Sequence, residues 1–87
     1  MDIELSSHFL RQAKRLSRDE KIKLSERTEW FKVDPYDSRL KTHVLAGKLK
    51  GIFSFSVTHS KRVAFAWVDK NTVLFLSVGS HGEVYRN

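Results

Sequence analysis

The hydrophobic positions change their period once along this chain. In the first third Phe9, Leu10, Ala13 and Leu16 recur at helical spacing, with Ser6 or Ser7 available as N-cap and Arg11, Lys14, Arg15 and Arg18 turned elsewhere. A short strand over Asp2 to Leu5 precedes this helix. A second helix is predicted from Asp19 or a neighbour to about Phe31, with Leu24, Thr28 and Phe31 on one face and Asp19 and Lys23 as a supporting i,i+4 pair. Asp34-Pro35 ends it, because the residue before a proline is pushed out of the α region, and Tyr36 to Arg39 reads as loop.

From Lys41 the period is two. Phe53, Phe55 and Val57 alternate with Ser54, Ser56 and Thr58, the pattern of a half-buried strand. Arg62 to Val68 sets Val63, Phe65 and Trp67 against Arg62, Ala64 and Ala66, and Thr72 to Val78 is a third run, apolar on both faces. The connectors His59-Ser60-Lys61 and Asp69-Lys70-Asn71 fit hairpins. These elements predict an α+β fold: a short N-terminal strand, a helical hairpin, then a three- to four-stranded antiparallel sheet, as one domain over residues 1–87. The aromatic faces supply most of the buriable area and should pack under the helices. The opposite face then carries Ser54, Ser56 and Arg62 beside small Ala64 and Ala66, a shallow polar floor suited to a ligand.

Composition narrows the field of functions. With no cysteine, neither a disulfide framework nor a thiolate zinc site can supplement a small core. No run approaches the ~20 apolar residues of a membrane span, and no positive segment followed by an apolar stretch opens the chain, which predicts a cytoplasmic protein without a membrane partner. The net charge of +6 favours a polyanionic partner, although the same charge also serves simply to solubilise a small domain. There is no phosphate-binding glycine loop, dinucleotide fingerprint, zinc finger or His-Glu-x-x-His helix. The four histidines, at 8, 43, 59 and 81, are spread too far apart for a local metal cage, so neither a metal nor another cofactor is expected.

Among single residues, Arg62 stands on the polar sheet face, where a guanidinium fork matches two phosphate oxygens, but a strand-edge arginine is commonly a salt-bridge partner. His81 lies in Gly79-Ser80-His81-Gly82, a turn able to project an imidazole over the sheet, and loop histidines are commonly just exposed. His43 could approach the same floor from its other end, whereas His59 reads as a hairpin tip and His8 as a helix start. Tyr85 could cap the core or stack on a base.

The runs Leu40-Lys41-Thr42-His43-Val44-Leu45-Ala46-Gly47, Gly51-Ile52-Phe53-Ser54, Arg62-Val63-Ala64-Phe65 and Val78-Gly79-Ser80-His81-Gly82-Glu83-Val84-Tyr85 resemble, in order, the signatures of the RelE/ParE toxin superfamily over residues 40 to 86. The ending is more similar to the RNA-cleaving RelE, YoeB and YafQ branches than to the gyrase-poisoning ParE branch. Phe53 and Phe55 stand where RelE carries lysines, and Ser54 and Ser56 where YafQ has acidic and histidine residues.

The resemblance implies a RelE-like fold and a toxin of a type II toxin–antitoxin system that cleaves messenger RNA on the ribosome, without metal, through a 2′,3′-cyclic phosphate. It implies His43 as candidate base, His81 as acid, Arg62 as the group stabilising phosphoryl charge and Tyr85 as an orienting residue, with Lys48, Lys50, Ser54 and Ser56 as RNA-binding positions. It further implies a cognate acidic antitoxin that covers the site, and operator DNA contacted only through that complex. Two rivals remain: a ParE-like gyrase inhibitor without ribonuclease activity, and a basic nucleic-acid-binding module in which His81 is incidental.

Overall fold

The computed structural model describes residues 1–45 and 50–85, with Tyr85 described by its backbone alone. The chain order is β1 (Asp2–Leu5), α1 (Ser7–Lys14), α2 (Arg18–Val33), a 3-10 turn (Ser38–Leu40), β2 (His43–Val44), β3 (Phe53–Ser56), β4 (Arg62–Asp69), β5 (Thr72–Gly79) and α3 (His81–Tyr85). The sheet runs β1-β5-β4-β3-β2. The three long runs form the expected antiparallel meander, β2 extends it, and β1 joins the far edge parallel to β5.

The helices start where side chains can satisfy free backbone N–H groups. Ser6 caps α1, its Oγ accepting from Phe9 N at 2.9 Å and donating to Leu76 O at 2.9 Å. Ser17 and Glu20 form a reciprocal capping box on α2, and the Glu20 carboxyl is held below its ordinary range, first by the Ser17 backbone N–H and then by Lys61, 3.2 Å away. That box starts the helix at Arg18, the neighbour of Asp19. Past Val33 the chain leaves the helix at Asp34 in extended geometry, as the following proline requires.

One residue seats α2 on the sheet. Phe31 is fully buried, and its ring centroid lies 5.0 Å from Phe55, 4.9 Å from Phe65 and 5.5 Å from Phe75, so one helical ring touches three strands. Phe9 from α1 adds an edge-on contact with Phe75 at 5.5 Å. Leu10, expected on the buried stripe, is 46 % exposed. The stripe that α1 turns inward instead includes Gln12, whose Oε1 accepts from Val78 N at 2.9 Å.

That polar contact follows from a bulge. Ala64 pairs with Ser77 and Phe65 with Phe75, leaving Leu76 as an extra residue in β5. Parallel pairing with β1 stops at Phe75, so the rest of that β5 edge would expose unpaired backbone. Ser6 and Gln12 fill the gap: Ser6 N donates to Phe75 O at 3.0 Å, Ser6 Oγ to Leu76 O, and Gln12 receives Val78 N.

At the other end of β5, Ser80 and Glu83 make the capping contacts of α3, with Ser80 N donating to Glu83 Oε1 at 2.8 Å. That backbone donor is the main reason the Glu83 carboxyl lies below its ordinary range. A Cβ at Gly79 would stand 2.8 Å from Glu83 Oε1, so a larger residue there would have to push the Glu83 carboxylate aside.

A third carboxylate is more strongly held. Asp37 accepts from Arg39 Nε, Arg39 Nη2 and Arg39 N at 2.9–3.0 Å, and these bonds, the guanidinium first, lower its pKa from 3.8 to about 2. A depressed folded-state pKa adds stability that is complete above the ordinary value and is lost as pH falls through the folded one. Asp37→Asn, which keeps a capping oxygen, should therefore lower the urea midpoint near neutral pH. Its difference from the parent should narrow below pH 3.8 and vanish only as pH falls below about 2. Independently, Phe31→Ala should cost about 3–5 kcal/mol in urea denaturation, and Leu10→Ala within about 0.5 kcal/mol.

Candidate active site

Arg62 opens β4 opposite Ser56 on β3 and Gly79 on β5. Because Val63 enters the core, strand alternation turns Arg62 to the opposite face, as the sequence pattern predicts. Among the described residues its guanidinium meets hydroxyl, carbonyl and imidazole groups: Nε donates to Ser54 Oγ at 3.2 Å and Nη1 to Ser56 Oγ at 2.9 Å, while Nη2 lies 3.5 Å from Lys41 O and 3.4 Å from His43 Nδ1. Among the described residues no carboxylate is paired with it. A fixed guanidinium without a counter-carboxylate is a preorganised place for a phosphate oxygen.

His43 reaches this cluster because β2 pairs it with Ser54. Its Nδ1 is 3.1 Å from Lys41 O and 3.4 Å from Arg62 Nη2. Only a protonated Nδ1 can donate to the carbonyl, and only a bare one can accept from arginine. The carbonyl contact fits the Nδ1–H form, which in the neutral ring carries its lone pair on Nε2, and the guanidinium contact fits the opposite form. Lys41 makes both contacts possible by adopting φ 52°, a left-handed conformation that turns its carbonyl back toward His43 and Arg62.

His81 is the first residue of α3, exposed, and two positions beyond Gly79, the β5 partner of Arg62. The row Ser56, Arg62, Gly79 across three strands thus sets His43 and His81 at the same end of the sheet as the guanidinium. The turn anticipated at Gly79-Ser80-His81-Gly82 is a capped helix start, and its signal was the Ser80-x-x-Glu83 spacing.

The remaining candidates divide. Ser56 is half-buried and Ser54 fully buried, and the Ser54 hydroxyl accepts from Arg62 Nε. Lys50 is exposed in the turn before Gly51, outside the set of groups that hold Arg62. Lys48 and the Tyr85 side chain lie outside the described residues. Sequence reasoning missed Lys41, whose role rests on its backbone and leaves no side-chain signal. It also missed Trp30, although Arg27 at i−3 on the same helix was a usable hint: the Arg27 and Arg39 guanidinium carbons sit 4.6 and 3.8 Å from the Trp30 ring centroid.

Among the described residues no group of three or more His, Cys, Asp or Glu side chains is placed to hold a metal ion, and no helix is long and apolar enough to cross a membrane.

No family model matches the sequence, and no curated protein matches it closely enough to count. Solved structures do match. YafQ from E. coli BL21(DE3) superposes with a TM-score of 0.80 at 21 % identity, covering 98 % of both chains. A YoeB/ParE toxin from Agrobacterium tumefaciens gives 0.78 at 15 % identity, over 93 % of this chain and 99 % of that one. The E. coli DinJ-YafQ toxin–antitoxin complex gives 0.78 at 22 % identity, over 98 % and 97 %. This chain therefore has the fold of the YafQ and YoeB/ParE toxins, the RelE-like fold that its strand motifs predicted.

Proposed function

We propose that this chain, as one RelE-like domain over residues 1–87, is the toxin of a type II toxin–antitoxin system and cleaves messenger RNA on the ribosome in the cytoplasm. The observation that carries the reading is the Arg62 guanidinium, held by two serine hydroxyls and without a carboxylate partner among the described residues, with the His43 ring 3.4 Å away. The fold shared with YafQ and YoeB supports it, as do the toxin–antitoxin complexes in which those proteins were crystallised, DinJ-YafQ from E. coli and YoeB-YefM from Staphylococcus aureus.

In this reading a ribose 2′-oxygen attacks the adjacent phosphorus, the bond to the 5′-oxygen breaks, and a 2′,3′-cyclic phosphate and a free 5′-hydroxyl result. Nε2 of His43 takes the 2′-hydroxyl proton, with Nδ1–H anchored on the Lys41 carbonyl. His81 gives a proton to the departing 5′-oxygen, and Arg62 meets the charge that grows on the phosphoryl oxygens. Tyr85 orients the substrate, and Lys48, Lys50 and Ser56 bind RNA, with Ser54 acting through Arg62. The protein supplies charge and proton carriers, and the ribosome supplies the alignment, worth several orders of magnitude in rate. An acidic antitoxin segment that folds on binding would cover this basic face, and operator DNA would be met through the antitoxin.

Single-turnover cleavage of message on programmed ribosomes tests this. Arg62→Ala should slow it about 10²–10³-fold, the usual effect of removing one charge-stabilising donor, and His81→Gln about 10²–10⁴-fold. Discrete RNA ends after induction in cells should disappear with both substitutions. Undiminished cleavage by the Arg62 variant would remove Arg62 from the chemistry, and growth arrest accompanied by inhibited gyrase supercoiling and intact messages would sink the reading in favour of a ParE-like inhibitor. Absence of any growth arrest would leave only a binding module.

A further inference from the structure

Beside Arg62 lies more positive charge than the proposed chemistry uses. A groove of about 500 Å³ is lined by Ser56 and Arg62, by Lys23 and Arg27 of α2, and by Arg39 and Lys41 around the 3-10 turn. Among the described residues that line it none is acidic, and Val57 is the one aliphatic side chain. Its size falls within the range of small-molecule sites, enough for one or two nucleotide units.

Two of its cations are oriented before any ligand arrives. The half-buried Trp30 ring packs against the core and carries Arg39 at 3.8 Å and Arg27 at 4.6 Å. Asp37 grips Arg39 from the side, and Glu26 pairs with Arg27. Much of the rotamer freedom that binding would otherwise remove is already gone. Lys23 and Lys41 complete the rim, and among the described residues neither ammonium is paired with a carboxylate.

We propose that this groove is a second phosphate site for single-stranded RNA, taking the strand's phosphates next to the one at Arg62. The inference rests on the ribonuclease reading for its substrate class. The two sites are continuous, because Lys41 lines the groove while its carbonyl lies 3.5 Å from Arg62 Nη2. Lys23, Lys41 and Arg62, without a carboxylate partner among the described residues, supply the net attraction, Arg27 and Arg39 shape the wall, and a lining of cations and hydroxyls offers little to the apolar anchors by which peptides dock. A phosphodiester strand needs no such anchors, since its affinity comes from charge neutralisation and counterion release.

The test uses a fluorescent single-stranded RNA dodecamer methylated at every 2′-oxygen, which can bind but has no nucleophile for cleavage. Binding is measured against salt for the parent, for Lys23→Gln with Arg27→Gln, and for Arg11→Gln with Lys14→Gln. The last pair removes equal charge from α1, outside the groove. The groove pair should weaken binding by at least about tenfold at low salt and flatten the log–log salt slope by about 1.4, two phosphate contacts at about 0.7 each. The α1 pair should change the slope by less than about half of that. Equal effects of the two pairs would overturn the site, as would loss of affinity for a decaglutamate peptide with none for the RNA. Cleavage of unmodified message on ribosomes is read in parallel. A parent that binds through the groove but never cleaves defeats the ribonuclease reading, whereas a parent that cleaves while both pairs bind alike defeats the groove.

Discussion

The packing of Phe31 against Phe55, Phe65 and Phe75 fixes where α2 lies, and with it everything that faces the polar side of the molecule. An α-helix advances about 100° per residue, so a ring locked among three strands dictates the direction of its neighbours. Trp30 follows directly, and through it Arg27 on the same helix and Arg39 beyond the turn. Phe31 in the core and Trp30, which carries two arginines of the groove, are consecutive residues of one helix. Core packing at Phe31 is therefore also a constraint on charge placement.

A second dependence runs across the sheet. Arg62 is held by hydroxyls and a carbonyl, groups that orient a guanidinium without neutralising it. A carboxylate would have bound it more strongly and cancelled the field an anion would feel. The serines give direction and leave the charge available. Their register is set by the β3–β4 hairpin, which is closed by hydrogen bonds from Val57 and Thr58 to Lys61 O and tethered to α2 by the Lys61–Glu20 pair.

Much of this was legible in the sequence where the cause is local. Alternation in Phe53 to Thr58 and Arg62 to Val68 identified two strands and put Arg62 on the polar face, and Asp34-Pro35 ended α2. Ser17-x-x-Glu20 and Ser80-x-x-Glu83 were readable capping boxes, and the second turned an apparent loop at His81 into a helix start. What stayed hidden depends on distant partners. Nothing near Asp2–Leu5 indicates a parallel mate in β5, nothing near Leu10 indicates that Gln12 is claimed by Val78, and nothing in the lysine at 41 indicates a left-handed backbone. The His43–Arg62 approach likewise needs the β2–β3 pairing before it can be seen.

The seal that Ser6 and Gln12 place on the β5 edge has a consequence in time. These bonds join residues 70 and 66 positions apart, at nearly opposite ends of the described chain. Pairings of such separation form late, because a long loop must close before they return any stabilisation. The same strand supplies Gly79, the partner of Arg62, and leads into His81. During synthesis, then, β1 waits without its strand neighbour until β5 has emerged, and the row that carries Arg62 is complete only once Gly79 is in place. A polypeptide built this way completes its Arg62 face late: closing the β5 edge and completing the row Ser56, Arg62, Gly79 depend on the same strand.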